Sequence, residues 1–295
     1  MWRRTTMTSV FLGLSLLLSG CTDDVALTPV KSSPERRWTS VLKKIATPSG
    51  VRFKRLQKHK PVLEAYLGWA SIHGQHTNSW GESKEDRRLA FLINVHNAAV
   101  LHSLLRHDLP DTPDNVAVNL YRWPGAGLRW GTRYMVDKEW TSLNHLASHD
   151  TVNRYMEPLL WVALYDGTQD APKLQWWKQK GLQRELKRAA RKFINSDRGM
   201  SKTETGWAVN PIFIDHAADF TDWTDSQTVC EWLALYANDE RRTWLEQQSP
   251  GCTLESRPPQ RGLDRGGRQS TKTPRTPTLP APDQQPSPAL PTPQG

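Results

Sequence analysis

Residues 86–105 read DRRLAFLINVHNAAVLHSLL, and their apolar positions recur every three or four residues. Leu89, Leu92, Ile93, His96, Ala99, Val100, Ser103 and Leu104 make one stripe at helical spacing. Phe91, Ala98 and Leu101 carry the apolar surface round the far side. This pattern predicts a helix buried on most of its faces. Asn94 and Asn97 sit inside it, one turn apart. A buried amide without partners costs roughly 1–3 kcal/mol, so both must bond something specific. The partner is either the backbone of a neighbouring loop or a segment that forms an active site.

Elsewhere the pattern predicts further helices over 38–45, from Pro61 onward, over 142–155 behind a Thr141 or Ser142 cap, over 181–194 and over 229–236. In the 181–194 helix Leu182, Leu186, Ala189, Ala190 and Phe193 face inward, and five Lys and Arg residues form a solvated outer face. Short extended segments are predicted at 51–53 and 207–209. The dense apolar run LLWVALY at 159–165 has the length of a buried strand. The expectation is a single, mainly helical α+β domain with a small sheet, spanning residues 38–255.

Composition bounds that domain at both ends. Apolar residues are only 37% of the 295. Ten of the 21 Pro lie in 256–295, mixed with Thr, Gln and Ser. Such a segment buries too little surface to offset its ordering entropy, so a disordered Pro-rich tail is expected there. Residues 1–20 combine a basic start, MWRRTTM, with the short apolar run SVFLGLSLLL, and Leu18-Ser-Gly-Cys21 follows. The run is too short to span a bilayer and reads as a signal peptide. The site resembles the lipobox of bacterial lipoproteins, which implies acylation of Cys21 and a polar tether over 21–37. Thr22 at the next position implies sorting to the outer membrane, facing the periplasm.

The net charge of +9 is carried largely by the two ends. The folded part is only mildly basic, and no nucleic-acid partner is expected. With Cys21 assigned to lipid, Cys230 and Cys252 are expected to pair in an oxidising compartment. No phosphate loop, dinucleotide fingerprint or nucleophile elbow is present. His73 and His76, in a polar loop, do not make a metal signature.

AFLINVHNA at 90–98 resembles the A-F-W-I-N-x-Y-N-A helix of the bacterial family called domain of unknown function 547, with Leu92 at the Trp position and His96 at the Tyr position. Gly50-Val-Arg-Phe53, Ser142-Leu-Asn-His-Leu146 and the block 210–220 resemble further blocks of that family in the same order. The resemblance implies a papain- or transglutaminase-like fold, with a Cys at a strand end and a His from a preceding helix for thiol chemistry. Here the two family Cys positions fall on Asp166 and Ala171, and the family His falls on Ser148 beside His149. A carboxylate is a poor acyl-transfer nucleophile, so this chain is expected to lack the thiol reaction.

The resulting expectation is a cell-envelope lipoprotein held to the membrane by its N-terminal lipid. Its non-catalytic domain would bind a periplasmic peptide, glycan or protein in a cleft formed by Asn94, Asn97, His149 and Asp166. No metal or cofactor is expected. The rival reading is a hydrolase with a rebuilt site of His149 and Asp166, metal-assisted if His145, four residues before His149, joins them.

Overall fold

The computed structural model describes residues 23–74, 85–111, 127–248 and 251–266. The signal peptide, Cys21, His76 and residues 267–295 of the tail lie outside these. The chain begins with β1 (Asp23–Val25), α1 (Glu35–Ile45), the two-stranded hairpin β2 (Ala46–Thr47) and β3 (Gly50–Val51), α2 (Phe53–Lys58) and α3 (Lys60–Ala70). The long helix α4 (Glu85–Arg106) follows. Then come α5 (Gly127–Gly131), β4 (Thr132–Val136), β5 (Glu139–Ser142) and α6 (Leu143–Ala147), which runs into a π-helical turn at Ser148–Asn153. After a 3₁₀ turn at Pro158–Val162 come α7 (Leu182–Ile194), β6 (Met200–Lys202), β7 (Trp207–Val209), α8 (Ile212–Asp215) and α9 (Ala217–Asp222). The last elements are α10 (Val229–Ala234), α11 (Asp239–Gln247) and β8 (Glu255–Ser256). This is the expected α+β class, with helices dominating and sheets of two or three short strands.

The fold is organised by α4, whose residues 89–104 are all buried. Two apolar cores lie against it. Phe91, Leu92, Val95, Ala98, Leu101 and Leu104 join the first, with Trp38, Ile45, Leu56 and Tyr66 from α1, α2 and α3. Leu89, Ala90 and Ile93 join the second, with Leu186 of α7, Val209 of β7, Phe213, Phe220 and Trp232. An apolar surface on nearly every side of one helix is what two cores demand of it. In α7 Leu182, Leu186, Ala190 and Phe193 are buried as the 3.6-residue spacing requires, while Ala189 is only half-buried.

Three expectations need correction. The run at 159–165 is not a strand. Pro158 stands at the first position of the 3₁₀ turn, and Glu157 caps it by accepting from the Leu159 N–H at 3.0 Å. Pre-set proline φ and a side-chain cap favour the turn, and burial of the apolar run is achieved either way.

The tether does not extend over 21–37. Asp23–Val25 pairs in parallel with β4, Arg106 holds Asp23 by two hydrogen bonds of 3.0 and 2.7 Å, and α1 already starts at Glu35.

The disordered tail does not begin at 256. β8 pairs in parallel with β7, and the following residues run as a strap across both halves of the molecule. The Arg257 N–H donates to Val209 O at 2.8 Å, Asp264 N–H to Gly167 O at 2.9 Å and Val51 N–H to Asp264 O at 2.9 Å. Inside the strap Leu263 and Asp264 are buried, and Arg198 pairs with Asp264 at 2.8 Å. Composition undervalued this segment because its order comes from long-range backbone pairing, which Pro content does not reveal.

Candidate functional site

Asn94 and Asn97 act as backbone mimics. The Asn94 amide donates to Trp177 O at 2.8 Å and its oxygen accepts from the Trp177 N–H at 2.9 Å. The Asn97 amide donates to Ala163 O at 3.0 Å and its oxygen accepts from the Tyr165 N–H at 2.8 Å. Each side chain satisfies a donor and an acceptor of a segment that forms no regular sheet. Together they fasten residues 163–177 onto α4. That segment carries Asp166, so the loop-tying role and the site-holding role are the same set of bonds.

Asp166 lines a cleft of about 280 Å³. Its Oδ1 accepts from the Thr168 N–H and hydroxyl, both at 2.8 Å. The turn this makes needs Gly167 at φ +89°, where a Cβ would also meet Leu104. The same cleft is lined by His96 from α4, Arg129 and Trp130 from α5, Trp161, and Asp215 and His216 beyond β7. Trp130 is 57% exposed. His216 stacks on Trp161 with ring centres 3.6 Å apart, and the Trp161 indole N–H donates to Asp219 at 2.8 Å. One rim is the strap: Pro259, Gln260 and Arg261 face the cleft. Asp170 holds that rim through Arg257 and the Gln260 N–H.

His96 is a buried titratable group of the cleft. It is 4% exposed, and its Nδ1 lies 3.2 Å from Asn97 Oδ1. Because the Asn97 amide nitrogen faces a carbonyl and its oxygen faces an N–H, the Asn97 orientation is fixed. Nδ1 of His96 must therefore carry the proton, and Nε2 holds the lone pair. Burial drives the His96 pKa down to about 4, with Arg129 acting in the same direction and the Asn97 bond and Asp166 opposing. The ring is neutral at pH 7. Burial also lowers the pKa of His216, against Asp219 and Asp215. The cleft thus offers two neutral imidazoles, carboxylate oxygens, a guanidinium and indole faces.

His149 is not part of this set. It stacks on His145, ring centres 4.3 Å apart, and its Nδ1 lies 3.3 Å from Asp150. The structure therefore brings Asp166 together with His96 and not with His149, and the rebuilt His149–Asp166 pair is not assembled. His96 was visible in the sequence only as the residue at the family's Tyr position. A histidine on an otherwise apolar stripe that also holds Ser103 gave no further signal. His216 carried none apart from its place in the 210–220 block. Cys230 and Cys252 form a disulfide joining α10 to the segment after α11. Neither lines the cleft.

Compared with known proteins, residues 81–194 match the family model described as "Protein of unknown function, DUF547". The match runs from α4 to the end of α7 and includes His96 and Asp166. The blocks at 50–53 and 210–220 lie outside it. No curated protein and no solved structure matches the chain.

Proposed function

Since this chain belongs to the DUF547 family through residues 81–194, we propose that it is a variant of that domain in which the cleft binds a ligand and performs no thiol chemistry. The observation that carries this reading is that a neutral His96 and Asp166 line one cleft, with Asp166 at the position where the resemblance puts the nucleophile. The His96 Nε2 and the free oxygen of Asp166 are both acceptors. They call for a ligand rich in hydroxyl or amide donors. Exposed Trp130, with the Trp161–His216 stack, offers flat apolar faces of the kind that cover a sugar ring. A short periplasmic glycan fits these chemistries best. The lipobox-like sequence at Cys21 supports a lipoprotein held at the outer membrane, with the domain facing the periplasm.

Titration of the purified chain with cell-wall saccharides and with matched peptides, followed by tryptophan fluorescence, tests the reading. The expected outcome is saccharide binding that weakens about tenfold or more in Trp130→Ala and in Asp166→Asn, a change of about 1.4 kcal/mol. Preference for peptides would reassign the ligand. Binding indifferent to both variants would remove the cleft from consideration. Turnover of any of these ligands that is lost in His96→Gln would make the domain an enzyme. For the anchor, labelled acyl chains should enter the wild-type chain in cells and not the Cys21→Ser variant.

A further inference from the structure

The second cluster lies outside the cleft and has a geometry of its own. His145 is on α6, and the helix widens immediately afterwards into the π-helical turn Ser148–Asn153. In an unbroken α-helix Asp150, five residues on, would point about 140° away from His145. The π turn pairs i with i+5 and so turns each residue by less than about 100°, which swings position 150 round toward the side that carries 145 and 149. The buried hydroxyl of Thr151 donates to Leu146 O at 2.6 Å across the same five-residue step. As a result His145 Nε2 and His149 Nδ1 both face one oxygen, Asp150 Oδ1, at 3.5 and 3.3 Å.

We propose that His145, His149 and Asp150 form a binding site for a divalent transition ion of the zinc type. The three ligand atoms lie within 4.8 Å of one another. Bonds of about 2.0–2.1 Å at tetrahedral angles place ligand atoms about 3.3 Å apart. Two of the three edges already have that length. The third closes by a small turn of an exposed imidazole. Two histidines and one carboxylate on one face leave coordination positions open. The second oxygen of Asp150 is 3.4 Å from the Thr141 hydroxyl, a bond that orients the carboxylate for the metal. His145 and Asp150 also border a pocket of about 150 Å³ lined by Phe91, Leu92 and Leu146. From sequence, His145 and His149 lacked a nearby third group, and Asp166 was the candidate. The π turn supplies Asp150 instead.

The experiment is calorimetric titration of the untagged full chain with Zn²⁺, together with Co²⁺ absorption as a readout of coordination. One equivalent of Zn²⁺ should bind, and His145→Gln, His149→Gln and Asp150→Asn should each weaken binding about tenfold or more. Zn²⁺ should raise the melting midpoint of the wild type and not of the His145→Gln/His149→Gln double variant. The side chains of His145 and His149 are 52% and 70% exposed, so the metal-free variants should melt with the wild type. The proposal is overturned if Zn²⁺ fails to bind at about millimolar concentration or if the double variant binds as tightly as the wild type. It is equally overturned if Asp150→Asn is without effect or if Mg²⁺ binds as well as Zn²⁺.

Discussion

His96 joins the chemistry of the cleft to the stability of the fold. Its pKa falls from 6.5 to about 4 because burial disfavours the imidazolium. The unfolded chain therefore takes up a proton below pH 6.5 that the folded chain refuses until about pH 4. The unfolded state holds more protons throughout this window, so stability falls as pH falls, by up to about 3 kcal/mol from this one residue. His102, His107 and His216 are shifted downward too, mainly by burial. The contribution of His96 is isolated by comparing the slope of unfolding free energy against pH in the wild type and His96→Gln. The variant should have the shallower slope between pH 6.5 and 4, and equal slopes would refute the buried neutral ring. Asn97→Ala tests the neighbouring clamp. It strands Ala163 O and the Tyr165 N–H in the core, each at about 1–3 kcal/mol. Chemical denaturation should show a loss of about 2–6 kcal/mol.

Among the elements, the strap 255–266 departs furthest from what composition predicts. It adds a parallel strand to β7 and links Val51, Gly167 and Asp111 through backbone bonds. It also supplies one rim of the cleft. Truncation after Ser256 should lower the melting midpoint by several degrees and weaken any cleft ligand, because Arg198 and Asp170 lose their charged partners. Truncation after Gly266 should do neither. Equal melting curves for the two truncations would show that the strap contributes nothing. The π turn is an element of the same kind. The apolar spacing that predicts a helix over 142–155 is present, yet periodicity cannot tell where a helix inserts one extra residue. That extra residue decides which side chains meet.

For the whole molecule, one buried helix serves two cores. The apolar residues of α4 divide between them, and the segment 163–177 that carries Asp166 hangs on its amides. That α4 would be buried all round, and that Asn94 and Asn97 would need fixed partners, was legible in the sequence. Both facts follow from the local repeat and from the cost of burying an amide. The α+β class and the family resemblance were legible for the same reason, since helical spacing and short motifs are local. The run at 159–165 was misread because a continuous apolar stretch fits a buried strand and a capped 3₁₀ turn equally well.

The sequence by itself determined that residues 86–105 form a helix buried on most faces, that Asn94 and Asn97 need fixed partners and that an Asp, not a Cys, stands at 166. Those depend on spacing and residue type alone. Only the tertiary structure decided that Asp166 and His96 line one cleft, that His149 lies against Asp150 and that the strap forms one rim of that cleft. Each of these is a meeting of groups whose relative positions depend on chain path, helix widening and long-range backbone pairing, and no local repeat encodes those.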